Sequence, residues 1–186
     1  MNKISIDFQN LHLIHPNLAY INSYRAAIAE YRRHGVEDFA YPTVATRRDA
    51  VKYLRRLERY RRGIHMPGGY VPSSAFWLVD GRNYLGSGDI RHFLDDNLRR
   101  LGGHIGYSIR PGAWRQGLGT VQLALLLKEA GQLGIPKAIV TCYDTNIASA
   151  KVIEKNGGVL IKKISNTFGE IERLTRIYEI DLTGRN

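Results

Sequence analysis

The chain has a single cysteine, Cys142, so no disulfide can form within it. No apolar run approaches the length of a membrane span. The first ten residues, MNKISIDFQN, lack the apolar core of a signal peptide. A cytoplasmic protein fits these absences. No repeat, linker or low-complexity tract divides the 186 residues, so one domain over 1–186 is expected. Acidic residues are few: 17 Asp plus Glu stand against 27 Lys plus Arg, a net charge of +10. That surplus fits a polyanionic cofactor, an acidic acceptor or a nucleic-acid partner. With 44% hydrophobic and 24% charged residues, the composition is that of a globular protein and not a disordered one.

What is present is concentrated in residues 104–134, HIGYSIRPGAWRQGLGTVQLALLLKEAGQLG. Over 104–110, Ile105, Tyr107 and Ile109 alternate with His104, Gly106 and Ser108, which predicts a strand. Pro111 and Gly112 end it. Residues 115–120, RQGLGT, let successive N–H groups point into one concavity. A helix over 121–133 follows, stopped by Gly134 with Pro136 just beyond. Glycines at a helix N-terminus present unpaired donors and the positive end of the helix dipole, which suits a phosphate or pyrophosphate. The loop lacks the Lys-Ser/Thr of a nucleotide-triphosphate loop and the G-x-G-x-x-G of a dinucleotide site.

The segment Trp114-Arg115-Gln116-Gly117-Leu118-Gly119 resembles the acyl-CoA loop of the GNAT superfamily of N-acyltransferases, with Trp114 where a Gln or Arg is usual. A buried strand over 137–142 follows, expected parallel to the first because a helix connects them. Asn146-Ile147-Ala148-Ser149, a short helix and Asn156-Gly157-Gly158 resemble the family's second signature. The runs GGHIGYSIRP and NIASAKVIEKNGG are similar to a bacterial branch of predicted acetyltransferases. The resemblance is strongest over 74–164. It implies a mixed α/β fold: a central, mostly antiparallel sheet with a parallel splayed strand pair and flanking helices.

The rest of the chain reads in order. A first strand is expected around 11–14, a helix over 17–34 with Gly35 as its stop, and a loop at Tyr41-Pro42. Thr46 is a plausible N-cap for a helix with Asp49 in its first turn and Ala50, Leu54 and Leu57 as the buried stripe. Its other faces carry Arg47, Arg48, Lys52, Arg55, Arg56, Arg59, Arg61 and Arg62. Such a run is either a solvated face or a surface for an acidic acceptor or RNA. Residues 63–73 form a Gly/Pro loop, a candidate lid. A hairpin is expected from strands 74–79 and 84–92, then a polar connection over 93–103. A strand over 158–164, a turn over 166–170 and a last strand over 172–182 complete the chain.

The resemblance implies acetyl-CoA as cosubstrate, no metal, and transfer of an acetyl group to a primary amine by direct attack on the thioester. The amine must be neutral when it attacks, the oxyanion must be stabilised and the thiolate must leave. The backbone of Tyr107, Ser108 and Ile109 would pair with the pantetheine arm, and the Ile109 N–H would meet the oxyanion. Trp114, Arg115, Gln116, Gly117, Leu118, Gly119 and Thr120 would hold the pyrophosphate end, and Asn146 and Ser149 the arm. His104 stands where related enzymes place a Glu and titrates near neutrality, so it is a candidate base; His92 and Arg91 are further pocket candidates. The family's thiolate-protonating Tyr falls on Ile153 here, leaving Tyr143 or water as the proton donor. Cys142 reads as a small buried hydrophobe and Trp77 as core. The expected acceptor is a small-molecule or peptide amine, and the expected state a monomer or homodimer. Two alternatives stay open: a non-catalytic acyl-CoA-binding regulatory module, suggested by Ile153, and an RNA- or ribosome-associated acetyltransferase, suggested by the basic helix.

Overall fold

A computed structural model describes residues 4–36, 42, 44–168 and 171–184. The described residues form seven strands and five α-helices. Strands β1 (His12–Ile14), β2 (Ser73–Val79), β3 (Tyr84–Arg91) and β4 (Ile105–Ile109) form one antiparallel sheet in that order. Strands β5 (Lys137–Tyr143), β7 (Ile171–Asp181) and β6 (Val159–Phe168) form a second, with β7 in the middle. Every ladder among the described residues is antiparallel.

The expected parallel neighbours, β4 and β5, share no ladder among the described residues. They touch at one end, through a bridge between Gly103 and Val140 and a bond from the His104 N–H to the Ile139 oxygen at 2.6 Å. Gly103 has φ +65°, and a Cβ there would lie 2.4 Å from the Ile139 oxygen, so this approach needs glycine. Beyond the bridge the two sheets part and leave a gap alongside β4.

Helix α1 (Ile21–Arg33) buries Tyr24, Ala27, Ile28 and Tyr31, the 3.6-residue pattern that marks an amphipathic helix. A 3-10 turn over Leu18–Tyr20, capped by Asn17, precedes it, so the regular helix starts later than the pattern suggested. Helix α2 (Arg47–Arg61) begins with a capping box between Thr46 and Asp49. Of its expected stripe only Ala50 is fully buried; Leu54 and Leu57 are half-buried. Helix α4 (Leu118–Gln132) turns Leu118, Leu123, Leu126, Leu127 and Ala130 into the interior. Helix α5 (Ile147–Lys155) contributes Ala150 and Ile153.

Two expectations are corrected. The connection over 93–103 contains a helix, α3 (Asp96–Leu101), capped by the Asp95 carboxylate accepting from the Leu98 N–H at 2.7 Å. Its six residues are too short for an apolar period to show. The turn expected over 166–170 is displaced, because β6 runs on to Phe168 and Asn166 pairs with Arg173. Residues 169 and 170, and Tyr41 of the expected loop, lie outside the described residues.

Candidate functional site

The glycine loop forms as its residue types require. Arg115 (φ 59°) and Gly117 (φ 81°) are left-handed, and Gly117 is the N-cap of α4. No side chain among the described residues caps this terminus. The Thr120 N–H donates to the Gly117 oxygen at 3.1 Å, the N–H groups of Leu118 and Gly119 before it receive no side-chain cap, and the helix dipole adds positive potential there. An anion is the ligand this geometry calls for.

The orientation of β4 follows from one bond. The Arg110 N–H donates to the Leu85 oxygen at 2.8 Å. Gly86 and Ile109 are register partners, so that bond makes them a non-hydrogen-bonded pair. The Ile109 N–H consequently points away from β3, into the gap between the sheets. Tyr107, two residues back, is turned the same way. Ser108 alternates, and its backbone faces Ser87 of β3. The expectation that Ser108 would pair with a ligand through its backbone is thus corrected: its hydroxyl, not its amide, is what it offers.

A cavity of about 500 Å³ follows this gap to the loop. Tyr107, Ser108 and Ile109 line it from β4, and Trp114, Arg115, Gly117, Leu118, Gly119 and Thr120 from the loop and α4. Asn146 and Ser149 line it from α5. The Asn146 carboxamide oxygen accepts from the Ser149 N–H at 3.0 Å, so it caps α5. The Tyr107 hydroxyl lies 2.9 Å from Ser149 Oγ, and burial pushes its pKa up to about 12. Gln116 is the one expected loop residue not in the lining; its Nε2 is buried without a hydrogen-bond partner among the described residues. The donor set fits a polyanionic cosubstrate: a helix terminus without a side-chain cap, an arginine and a gap-facing strand edge.

The expected proton-handling residues stand elsewhere. His104 lines neither this cavity nor its neighbour. Its Nδ1 accepts from the Ile139 N–H at 2.9 Å, which fixes a neutral ring that ties β4 to β5. Burial, then the charges of Arg99 and Arg91, lower its pKa to about 4. The position resembles that of a family base, but here the imidazole is committed to the sheet junction. Tyr143 is outside the cavity lining, with the Arg173 guanidinium 4.8 Å over its ring. His92 Nε2 lies 2.9 Å from Ser74 Oγ. Arg91 donates to the carbonyls of Gly102 and Gly103 at 3.2 and 2.9 Å. Both hold structure. Cys142 is buried, with its thiol pKa pushed up by that burial. Ile153 is fully buried core, and so is Trp77, stacked on Tyr24 with ring centroids 4.8 Å apart.

A second cavity, about 610 Å³, lies on the other side of β4 and shares Tyr107 and Ser108 with the first. The Tyr31 hydroxyl donates to Ser108 Oγ at 3.3 Å, beside this junction. Strands β2 and β3 form its floor with Ala75, Trp77, Ser87 and Asp89. Helix α2 covers it with Tyr53, Arg56, Leu57 and Tyr60, one face at i, i+3, i+4 and i+7. Tyr70, from the loop over 63–73 read as a lid, adds a wall. Asp89 was missed by the sequence reading. Its only signal was a carboxylate in an alternating strand, YLGSGDIR, at a position facing the same side as Trp77 and Ser87.

The acetyltransferase (GNAT) domain family matches residues 11–159. No curated protein matches the chain by sequence. In fold the chain is similar to the microcin C7 self-immunity acetyltransferase MccE in complex with acetyl-CoA and AMP, at 15% identity, 92% of each chain and TM-score 0.69. It is also similar to the ribosomal L7/L12 α-N-protein acetyltransferase RimL in complex with coenzyme A, at 14% identity over 94% of this chain and 96% of that one, TM-score 0.70. A third structure is an acetyltransferase from Salmonella typhimurium that modifies the N-terminal serine of 50S subunit protein L7/L12. The identity is 13% over 92% and 95% of the chains, TM-score 0.66.

Proposed function

The chain belongs to the GNAT acetyltransferase family, and from that premise we propose a single-domain, acetyl-CoA-dependent enzyme that moves an acetyl group onto a primary amine by direct attack on the thioester. The observation that carries this reading is the Ile109 N–H. It faces the gap between the sheets, in the same cavity as the glycine loop. A fixed donor aimed where negative charge develops lowers a barrier without reorganisation at the moment of reaction.

The geometry supports the following roles. The first-turn amides of α4 and the Arg115 guanidinium hold the pyrophosphate. The Tyr107 backbone and Ile109 N–H receive the pantetheine arm as a strand would, and the Ile109 N–H orients the acyl carbonyl oxygen. The bound cosubstrate supplies the activated acyl group. Tyr107 carries the hydroxyl best placed to return a proton to the sulfur, since it lines the cavity and is positioned by Ser149 at the start of α5.

The test is direct. Acetyl-CoA should raise the melting temperature, because a ligand that binds only the folded state stabilises it, by about 2.7 kcal/mol at a hundred times Kd. Amines should then release free CoA. No thermal shift and no release would refute the reading. A second reading, an RNA- or ribosome-associated acetyltransferase, is favoured by one observation: the arginines of α2 are exposed.

A further inference from the structure

We propose that Asp89 receives the ammonium of the acceptor, takes its proton, and selects a primary monoamine carried on an aromatic or apolar body. This rests on the acetyltransferase reading above and assigns the acceptor side of the same site.

Three observations lead there. The cavity of about 610 Å³ that holds Asp89 meets the glycine-loop cavity only at Tyr107 and Ser108, so the two occupants would face each other across β4. Among the described residues Asp89 is the single carboxylate lining it, and 38% of its side chain is open. Gly106 stands directly across from Asp89, and a Cβ there would lie 2.6 Å from Asp89 Oδ1. Glycine therefore leaves the carboxylate its room beside the strand that carries Ile109.

The remaining walls decide what the amine is attached to. Tyr53 and Tyr60 of α2, with Tyr70, give planar, largely apolar surface. Such walls stack on an aromatic or apolar body. A polyamine would need several carboxylates. Here it would meet one, with Arg56 in the lining and Arg91 3.5 Å from Asp89. Burial raises the Asp89 pKa, partly opposed by Arg91, and so makes its carboxylate a better base.

The protons balance. Asp89 accepts one from the ammonium, leaving a neutral amine. The nitrogen lone pair forms the C–N bond to the acyl carbon as the C–S bond breaks. The second nitrogen proton passes to the sulfur, giving amide and free thiol, and Asp89 returns its proton to water.

The experiment uses the full chain with acetyl-CoA, and phenethylamine against spermidine. Phenethylamine should show a kcat/KM roughly 10-fold higher or more, as a matched apolar wall would give. Asp89→Asn, nearly isosteric, should lower kcat on the order of 10²-fold. It should also erase the acid limb of kcat, which lies above the ordinary Asp range. Besides Asp89, the groups facing this limb are Arg91 on β3, Arg56, Tyr53 and Tyr60 on α2, and Tyr107 on β4. Among the described residues lining the cavity, none besides Asp89 is a carboxylate or a histidine. Asp89→Glu should restore part of the rate. The acetyl-CoA thermal shift of the variants reports that they are folded and loaded. A normal shift with wild-type kcat and pH profile in Asp89→Asn overturns this assignment alone, and so does equal use of spermidine. Absence of any acetyl-CoA shift in the wild type overturns the underlying reading with it.

Discussion

The indole Nε1–H of Trp114 donates to the carbonyl oxygen of Ile109 at 2.6 Å. This bond spans the turn between β4 and the glycine loop, so the two halves of the cavity are tied to each other. It explains why a Trp is accommodated where the family usually has Gln or Arg: its N–H satisfies a strand-end carbonyl. The next residue, Arg110, is held from the other side. Its guanidinium donates to both oxygens of Glu30 at 2.7 and 3.0 Å, and the Gly112 N–H donates to Glu30 as well, at 3.0 Å. The end of β4 is thus fixed by α1 and by the loop together, and the amide aimed into the gap lies within that fixed segment.

The loop assignment can be tested at Gly117. A Cβ there meets nothing within 4 Å, but φ is +81°. Asn and Asp both tolerate that region better than other side chains. Gly117→Asn and Gly117→Asp therefore carry similar backbone strain and differ in charge. The Asp variant should lose most of the acetyl-CoA thermal shift, while the Asn variant keeps much of it. Equal retention by both, measured by titration calorimetry, would place the pyrophosphate elsewhere. Gly119 is a poorer probe, because a Cβ there would sit 3.3 Å from Val152 Cγ2.

Much of the fold was legible because its signals are local. The capping box at Thr46 and Asp49, the Gly134 stop and the alternation in β4 each depend on a few neighbouring residues. The glycine loop was legible for the same reason, and its expected residues lie together with the exception of Gln116. The acid–base residues were not legible. His104, just before β4, and Asp89, in β3, stand in segments of similar alternating pattern, and which one opens onto a cavity depends on pairing partners far along the chain. His104 is turned to Ile139, 35 residues away, while Asp89 is turned to the space under α2. Likewise, the splay of β4 from β5 is long-range: each is the edge strand of its own sheet, and the two meet at the Gly103–Val140 bridge.

His104 should behave as a structural residue. Its folded pKa is about 4, below the ordinary value near 6.5. Below pH 6.5 the unfolded chain binds a proton that the folded one refuses, so stability falls from there down to about pH 4. His104→Asn should flatten that part of the stability–pH curve and lower stability at pH 7.5, since Ile139 loses a well-placed acceptor. The kcat of the folded variant should stay near wild type. A loss of kcat on the order of 10²-fold with unchanged melting temperature would restore His104 as the base.

Glu30 offers a separate pH window. Burial pushes its pKa up, but the bonds from Arg110 and the Gly112 N–H and the Arg110 charge outweigh it, and the net shift is downward. The pair's contribution is therefore fully present above the unfolded Glu value and disappears as pH falls through the lower, folded one. Glu30→Gln leaves the Arg110 guanidinium buried without its counter-charge, which costs about 3–5 kcal/mol. Urea unfolding at pH 7 should show that loss, and the variant should be far less sensitive than wild type to acidification below pH 4.5. An equal loss from the double change Glu30→Gln/Arg110→Met would instead mark lost packing as the cause, because that change removes both charges.

The basic face of α2 decides between the two readings of function. Arg48, Lys52, Arg55, Arg59 and Arg62 recur at helical spacing on one side, away from the Tyr53, Arg56, Leu57 and Tyr60 face that covers the second cavity. All five are exposed. If this stripe contacts RNA, each neutralised phosphate releases condensed counterions. Five contacts then make affinity fall on the order of 10²–10³-fold between 50 and 200 mM salt. Changing Arg48, Arg55 and Arg59 to Gln would remove about three contacts and flatten the salt slope by about 2–3. Because Arg56 is left in place, acetylation of a small amine should be untouched by the triple change, so a loss of RNA binding could not be confused with damage to the acceptor cavity. Filter binding of a structured RNA at the two salt concentrations is the measurement. No binding at 50 mM would leave α2 a solvated face whose charge keeps the protein soluble, and the ribosome-associated reading would fall with it.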